Sequence, residues 1–209
     1  MNNKKYSLRN IAPLVITSIL AIIKPAGLAI IFAIPYLLIE SNINKTSSKD
    51  IGFKINNTWS DVKHYWWLIA APVILGILSI LLSKLILPEF YIHVIERITP
   101  MLSLNKALLF VPLQLLVLAF GEEITFRAFL QTKFGNIISP VWAITVTSVV
   151  FALAHFSPGS PIVIVYDLIF IFFDSLLYGI LYLKTQNIYT CTISHFLANL
   201  AAIYILLAI

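Results

Sequence analysis

The stretch that decides the fold is ALLFVPLQLLVLAFGEEITFRAFL, residues 107–130, in which an apolar run surrounds two adjacent acids and an arginine. The stretch is long enough to cross the hydrocarbon core of a bilayer, for which a helix needs about 20 residues. A charge at that depth costs from about 2.5 to more than 10 kcal/mol. We therefore expect a membrane helix whose charges serve paired packing, a polar cavity, transport or catalysis.

The composition of the whole chain agrees with a membrane protein. Of its 209 residues, 60% are apolar and 11% are charged, whereas a soluble domain has about 45–50% apolar and about 25% charged residues. The net charge of +5 does not indicate a nucleic-acid partner, because most Lys and Arg lie at or before Lys106, beside apolar runs, as loop and interface cations do. The single cysteine, Cys191, excludes an internal disulfide and a Cys-rich zinc site.

Residues 1–106 are predicted to form an N-terminal membrane region with about two spans. The first apolar segment, 11–39, is interrupted by KPAG (24–27) and is expected to be one kinked span. A tight hairpin is the alternative, and a signal peptide is disfavoured because no clear small-x-small cleavage site follows. Residues 40–65 are polar and predict a loop. Residues 88–105, with charges between apolar positions, predict an interfacial helix.

The second half, residues 107–209, is predicted to be a four-helix catalytic unit. Spans in a bilayer must be helical because each buried backbone group needs an internal partner, and the short connectors favour antiparallel neighbours. The fold class is therefore an all-α, polytopic membrane helix bundle with about six transmembrane helices. The four spans of this unit are 107–131, 138–156, 162–183 and 188–208.

Glu122, Glu123 and Arg127 lie in the first of these four spans. Glu123 and Arg127 are four residues apart and share a helix face, with the acid before the base, which is the favourable order. Glu122 lies about 100° round the helix from Glu123. Arg127 can therefore neutralise Glu123, while Glu122 is left as a desolvated carboxylate suited to act as a general base.

Three further polar residues lie in apolar segments of this half: His155 at the end of the second span, and His195 and Asn199 on one face of the last. Each has an ordinary explanation, as an interfacial residue or as an interhelical hydrogen-bonding pair. Together with the acids they form a hydrolytic set, which comprises a base for water, a positioning imidazole and donors for an oxyanion.

Three motifs in this order resemble a known family. EExxxR at Glu122–Arg127, FxxxH at Phe151–His155 and HxxxN at His195–Asn199 are similar to those of the CAAX proteases and bacteriocin-processing enzymes (the CPBP or Abi family), which are intramembrane endopeptidases. The resemblance covers about 107–209. A small-residue pattern before the last motif also fits, while Asp174 lies outside the expected pattern. The small residues are Ser175, Gly179 and Thr185.

The resemblance implies a role for each motif residue. Glu122 would activate the attacking water, and His155 would help to hold that water. Glu123 and Arg127 would form a supporting pair. The oxyanion of the tetrahedral intermediate would be stabilised by His195 and Asn199.

The depth of His155 is a difficulty for these roles. Counting helical rises from the turn before the second span places His155 about 10 Å deeper than Glu122. A tilt, or a kink near Pro112 or Gly121, must close that gap if His155 is to contribute.

Metal dependence is left open by the sequence. Glu122, His155 and His195 could supply the three ligands of a catalytic zinc site, but no cofactor is expected, because HExxH is absent and His195 shares its helix face with Asn199, a poor zinc ligand. The expected partners are a peptide or protein substrate at the membrane and the lipid bilayer, with no nucleic acid. The expected location is a bacterial plasma membrane.

Rival functions are a small transporter and a non-catalytic immunity or adaptor protein that binds a bacteriocin-like peptide. A transporter would show repeats and broken helices in both halves, whereas the polar residues here lie in the second half. Asp167 and Asp174 are seven apart on one helix, so they are interpreted as packing or cavity-lining residues and not as an aspartyl protease pair.

We predict that the chain is an integral membrane protein. Because its apolar segments are too long and too numerous for a peripheral association, it should stay in the membrane pellet after alkaline carbonate treatment and enter solution only with detergent. Release of folded protein by carbonate alone would contradict the assignment.

Overall fold

The structure is a computed structural model that describes residues 8–23, 27–104 and 110–208. These residues form helices and connecting turns without any strand, which confirms the all-α fold class. The predicted domain boundary at 106/107 and the KPA residues of the expected kink (24–26) lie outside the described residues. The helices are α1 (Leu8–Ile23), α2 (Leu28–Asn44), α3 (Thr58–His64), α4 (Trp66–Ile86), α5 (Glu89–Leu104), α6 (Phe110–Glu123), α7 (Thr132–Gly135), α8 (Pro140–Ala154), α9 (Pro161–Thr185) and α10 (Ile188–Ala208).

Three of the described helices are long and apolar enough to cross a membrane, namely α4, α9 and α10. Shorter apolar helices are formed by most of α1, by α2 and by α8. The predicted span at 107–131 is a continuous helical run in which α6 leads into a π-helical segment, Ile124–Gln131, and then into α7. The predicted number of about six spans is therefore approximate.

The π-helical segment is the centre of the bundle. All eight of its residues are buried, and Phe129 and Leu130 have no exposed surface. Their hydrophobic cluster includes Leu14 of α1, Leu37 of α2 and Ile188 of α10. Because π-helical turns are rare and are frequently found at functional sites, the segment directs attention to the charged residues at its start.

The first apolar segment is a pair of helices and not the single kinked span that we expected. Leu14 of α1 and Leu37 of α2 belong to the same buried cluster, and both helices contact the α7 end of the central run, α2 through a bond from Lys133 Nζ to Glu40 Oε1 at 2.7 Å. Because α1 and α2 both reach the α7 end of the central run and pack into one cluster, the chain must reverse direction between them. Each is short for a full span, so the hairpin alternative is the correct one.

The predicted loop at 40–65 is partly helical. Helix α2 continues to Asn44, a 3₁₀ turn covers Ile55–Asn57, and α3 follows. The segment is anchored to the α9–α10 turn by Asn187, whose Nδ2 donates to Asp61 Oδ2 at 2.7 Å and to Lys54 O at 3.1 Å. Polar composition predicted the absence of a span here, but not these long-range bonds.

Helix α5, the predicted interfacial helix, has one buried and one exposed face. Phe90 and Val94 are buried, whereas Ile92 is exposed. Its charged residues do not all face water, because Arg97 forms a salt bridge with Asp167 of α9. His93 Nε2 lies 3.6 Å from the same carboxylate. The Arg97–Asp167 salt bridge therefore fixes α5 against α9.

We predict that Asn187→Ala releases the segment between α2 and α4. The substitution removes the hydrogen bonds from Asn187 Nδ2 to Asp61 Oδ2 and to Lys54 O, and the loss of a bond to a charged group costs about 1.5–3 kcal/mol. Limited trypsin digestion in detergent should then cut faster after Lys54. Asn57→Ala is the matched control, since Asn57 is exposed and makes no capping hydrogen bond. Equal digestion of the two variants would contradict the anchoring role.

Candidate active site

The buried ion pair of Glu123 and Arg127 organises the site. Arg127 Nε donates to Glu123 Oε2 at 3.1 Å, and both side chains have no exposed surface. The pair predicted from their four-residue spacing is therefore present. Arg127 Nη2 also donates to Ser175 Oγ at 3.0 Å, which ties the π-helical segment to α9.

Aromatic rings surround the guanidinium of Arg127. Its Cζ lies 5.5 Å from the ring centroid of Phe151 and 5.9 Å from that of Tyr178. Cation–π attraction is strongest where water is excluded, as it is here. Arg127 therefore joins α8 and α9 to the central run through ring contacts as well as through hydrogen bonds.

Glu123 has a second partner in His195. His195 Nδ1 lies 2.8 Å from Glu123 Oε1, so the two oxygens of Glu123 bind Arg127 and His195 separately. A carboxylate paired with a guanidinium is ionised and can only accept, so Nδ1 of His195 carries the hydrogen. The ring also stacks on Tyr178, with centroids 4.8 Å apart. The orientation of His195 Nε2 is thereby fixed.

Glu122 points away from this pair, as the helical spacing predicts. Its Oε2 lies 3.7 Å from His195 Nε2 and 3.8 Å from His155 Nε2. The side chain of Glu122 is 23% exposed, whereas that of Glu123 is fully buried. The two adjacent acids therefore differ in environment: Glu123 is neutralised inside the bundle, and the partly exposed Glu122 faces two imidazoles.

His155 reaches this point from the end of α8. Its Nδ1 lies 2.8 Å from the carbonyl oxygen of Phe151, and its ring stacks on the Phe151 ring at 4.4 Å. Since a carbonyl only accepts, Nδ1 carries the hydrogen, and Nε2 of the neutral ring is an acceptor. The depth difference calculated for straight helices does not separate the side chains of His155 and Glu122, which lie 3.8 Å apart.

Three helices thus bring three polar atoms together at distances slightly longer than a hydrogen bond. A separation of 3.7–3.8 Å between two polar atoms is one that a bridging water can span. Among the described residues, no group of three His, Cys, Asp or Glu side chains is arranged to hold a metal ion.

Asn199 lies one turn beyond His195 on α10 and is half-buried. Within the described part of the chain its amide makes no hydrogen bond. The structure therefore brings five of the six predicted site residues into one connected network, and it leaves Asn199 beside that network with its donors unused.

The small residues of α9 allow the close approach that the network needs. A Cβ at Gly179 would lie 2.8 Å from a side-chain carbon of Ile144 on α8. The carbonyl of Gly179 accepts a hydrogen bond from Gln131 Nε2 at 2.9 Å. The sequence did not single out Tyr178, which stacks on His195, or Gln131, which joins the central run to α9. Tyr178 lies one turn before Tyr182 in an aromatic-rich helix and gave no separate signal.

Comparison with known families agrees with the motifs. Residues 104–201, slightly less than half of the chain, match the family described as type II CAAX prenyl endopeptidase Rce1-like. This match confirms the resemblance found in the three motifs, since that family is part of the CPBP group. No curated protein matches the chain, and neither does any solved structure.

The two acids should differ in what they contribute to stability. Glu123→Gln and Arg127→Ala each leave a buried group without its charged partner, which typically costs about 3–5 kcal/mol. Glu122→Gln removes a partly exposed carboxylate that makes no direct hydrogen bond to a described residue, and it should unfold at nearly the wild-type temperature. Thermal unfolding in detergent measures all three. Similar losses in all three variants would contradict the division between a supporting and a free acid.

Proposed function

Residues 104–201 belong to the CPBP family of CAAX-protease-like endopeptidases, and from this premise we propose that the chain is an intramembrane endopeptidase in which Glu122 activates a water molecule. The observation that supports this mechanism is the convergence of Glu122 Oε2 with the Nε2 atoms of His155 and His195, at 3.8 and 3.7 Å. The family and the long apolar helices indicate an integral membrane peptidase.

The attacking water binds between Glu122 and His155. A water molecule has two hydrogens, and both the carboxylate oxygen and the unprotonated Nε2 of His155 accept. One hydrogen is directed at each, which leaves an oxygen lone pair free to attack a peptide carbonyl. Glu122 takes the proton as the carbon–oxygen bond forms, in the manner of a positioned general base.

Glu122 is a better base than Glu123 because of the partners described above. Glu123 accepts from Arg127 Nε and from His195 Nδ1, so each of its oxygens already accepts a hydrogen bond and its charge is neutralised. Glu122 has no such bond within the described residues. The bond from Arg127 makes Glu123 a poor base, and Glu123 in turn holds His195 in position.

His195 stabilises the oxyanion. Two carboxylates and one guanidinium leave the cluster with one negative charge, and a proton on His195 makes it neutral. His195 then donates from Nδ1 to Glu123 and from Nε2 towards the reacting centre. A charged donor in a site with little water is worth more than in solution. Asn199, whose amide is unused, supplies a second donor to the oxyanion.

The substrate is a membrane-associated peptide or protein. Glu122 and His155 retain partial exposure, at 23% and 29% of their side chains, so a chain entering from the membrane can reach them. The Ile-, Asn- and Lys-rich composition fits a bacterial plasma membrane, where a peptide precursor or a lipoprotein is available. Prenylated substrates, which the family description names, serve only as an analogy.

Zinc would require the same three side chains. Glu122, His155 and His195 are donors of the types that zinc prefers, although the described side chains are not arranged to hold a metal ion, and Glu123 behind His195 resembles the carboxylate that often orients a zinc-bound imidazole. A bound zinc ion would lower the pKa of its water and polarise the carbonyl. We propose the reaction without metal, because Glu122 and a protonated His195 already provide the base and the electrophilic donor.

The base role of Glu122 is tested by comparing the peptides released by cells carrying the wild type or Glu122→Gln. The variant keeps the volume of the side chain and removes its basicity, so fragments present with the wild type should disappear while the protein level is unchanged. Glu96→Gln, an exposed acid on α5, is the matched control and should leave the fragments. Identical peptide sets for wild type and Glu122→Gln would show that the chain binds peptides without cutting them.

Metal content is tested on purified enzyme. We expect well under one equivalent of transition metal by elemental analysis and full activity after strong chelators. Stoichiometric zinc, with activity lost on chelation and restored by zinc, would instead make Glu122, His155 and His195 ligands.

A further inference from the structure

Asp174 of α9 is a half-buried residue whose carboxylate the site network does not use. Its Oδ1 is buried, and Asp174 has no hydrogen bond or salt bridge to any described residue. Asp167, seven residues earlier on the same helix, is paired with Arg97. A buried polar group without a partner is costly, because it loses its hydration and gains nothing in return. Structural packing therefore explains Asp167 but leaves Asp174 unexplained.

The position of Asp174 follows from its neighbours on α9. With about 100° per residue, Asp174 lies within about 20° of Asp167 and about 40° of Tyr178 around the helix. Asp167 faces α5, and Tyr178 stacks on His195. All three therefore face the interior of the bundle, with Asp174 between the α5 salt bridge and the candidate active site.

Asp174 and Asn199 lie at the same level on neighbouring helices. A short turn at Gln186 and Asn187 joins α9 to α10, so the two helices are antiparallel. Tyr178 and His195 are in contact. Asp174 lies one turn before Tyr178 on α9, and Asn199 lies one turn after His195 on α10. Because the helices are antiparallel, both steps run in the same direction, by about 6 Å. Each is half-buried.

The two side chains have complementary chemistry. A carboxylate accepts, while the amide nitrogen of Asn donates. A peptide group offers one N–H donor and one C=O acceptor. If an extended peptide has its scissile carbonyl near Glu122, its neighbouring peptide groups would lie near Asp174 and Asn199.

We propose that Asp174 is a substrate-binding residue that accepts a hydrogen bond from a backbone N–H of the peptide beside the scissile bond. Asn199 flanks the same position. The ligand recognised is the peptide backbone itself and not a particular side chain. This inference rests on the proposed function, since it takes the bound segment to be the substrate.

The test uses two isomeric probes in dodecylmaltoside micelles. N-palmitoyl-tetraalanine dimethylamide has backbone N–H groups, and N-palmitoyl-tetrasarcosine dimethylamide has the same atoms but no N–H. Binding to the folded state raises the unfolding temperature by mass action. The alanine probe should raise it for wild type and also for Glu122→Gln, so the result does not depend on cleavage. The sarcosine probe should have little effect.

Variants at Asp174 and Asp167 test which aspartate binds the alanine probe. Asp174→Leu, which preserves the volume and removes the acceptor, should weaken binding of the alanine probe roughly 10- to 100-fold, as expected for a lost bond to a charged group. Asp174→Asn keeps an acceptor oxygen and should retain part of the binding. Asp167→Asn, the matched control, should lower the unfolding temperature without changing the shift that the probe produces.

The outcomes separate this inference from the proposed function. Equal shifts with both probes, no shift for wild type, or an undiminished shift in Asp174→Leu would overturn the role of Asp174. An Asp174-dependent shift would support it even if the peptides released by cells were unchanged in Glu122→Gln, a result that would count against proteolysis alone.

Discussion

The buried salt bridge between Glu123 and Arg127 is the interaction on which the rest of the site depends. Two opposite charges without solvent exposure need further bonds and contacts to compensate them, because the loss of hydration otherwise exceeds the attraction. That requirement draws in a hydroxyl from α9, an imidazole from α10 and aromatic rings from α8 and α9. One intrahelical pair thus connects four parts of the bundle.

The same pair distinguishes the two acids. Both are carboxylates at successive positions, and their intrinsic chemistry is almost identical. The helix turns by about 100° between them, so one faces the guanidinium and the other faces two imidazole nitrogens. The supporting acid also holds His195, whose other nitrogen faces Glu122. Glu123 therefore contributes to stability and Glu122 to the proposed chemistry, although the two residues are adjacent in the chain.

The regions outside the catalytic unit hold its helices in place. The hairpin of α1 and α2 buries the π-helical segment, and Asn187 fixes the segment before α3 to the turn that orients α10. Helix α5 is joined to α9 by the Arg97–Asp167 salt bridge. Asp174, whose buried Oδ1 has no partner among the described residues, differs in this from the buried acids Glu123 and Asp167, which are each paired with an arginine.

The sequence by itself determined the fold class, the approximate spans of the second half and the Glu123–Arg127 pair, because hydropathy and helical spacing are local properties. It left open the form of the first apolar segment, since a break at KPAG (24–27) is compatible with a kink or with a hairpin, and only the packing of Leu14 and Leu37 into one cluster distinguishes them. It also placed His155 too deep, because a count of helical rises contains no information on tilt. The bond from Glu123 to His195, the stacking of Tyr178 and the isolation of Asp174 are contacts between residues far apart in the chain, and only the tertiary structure decided them.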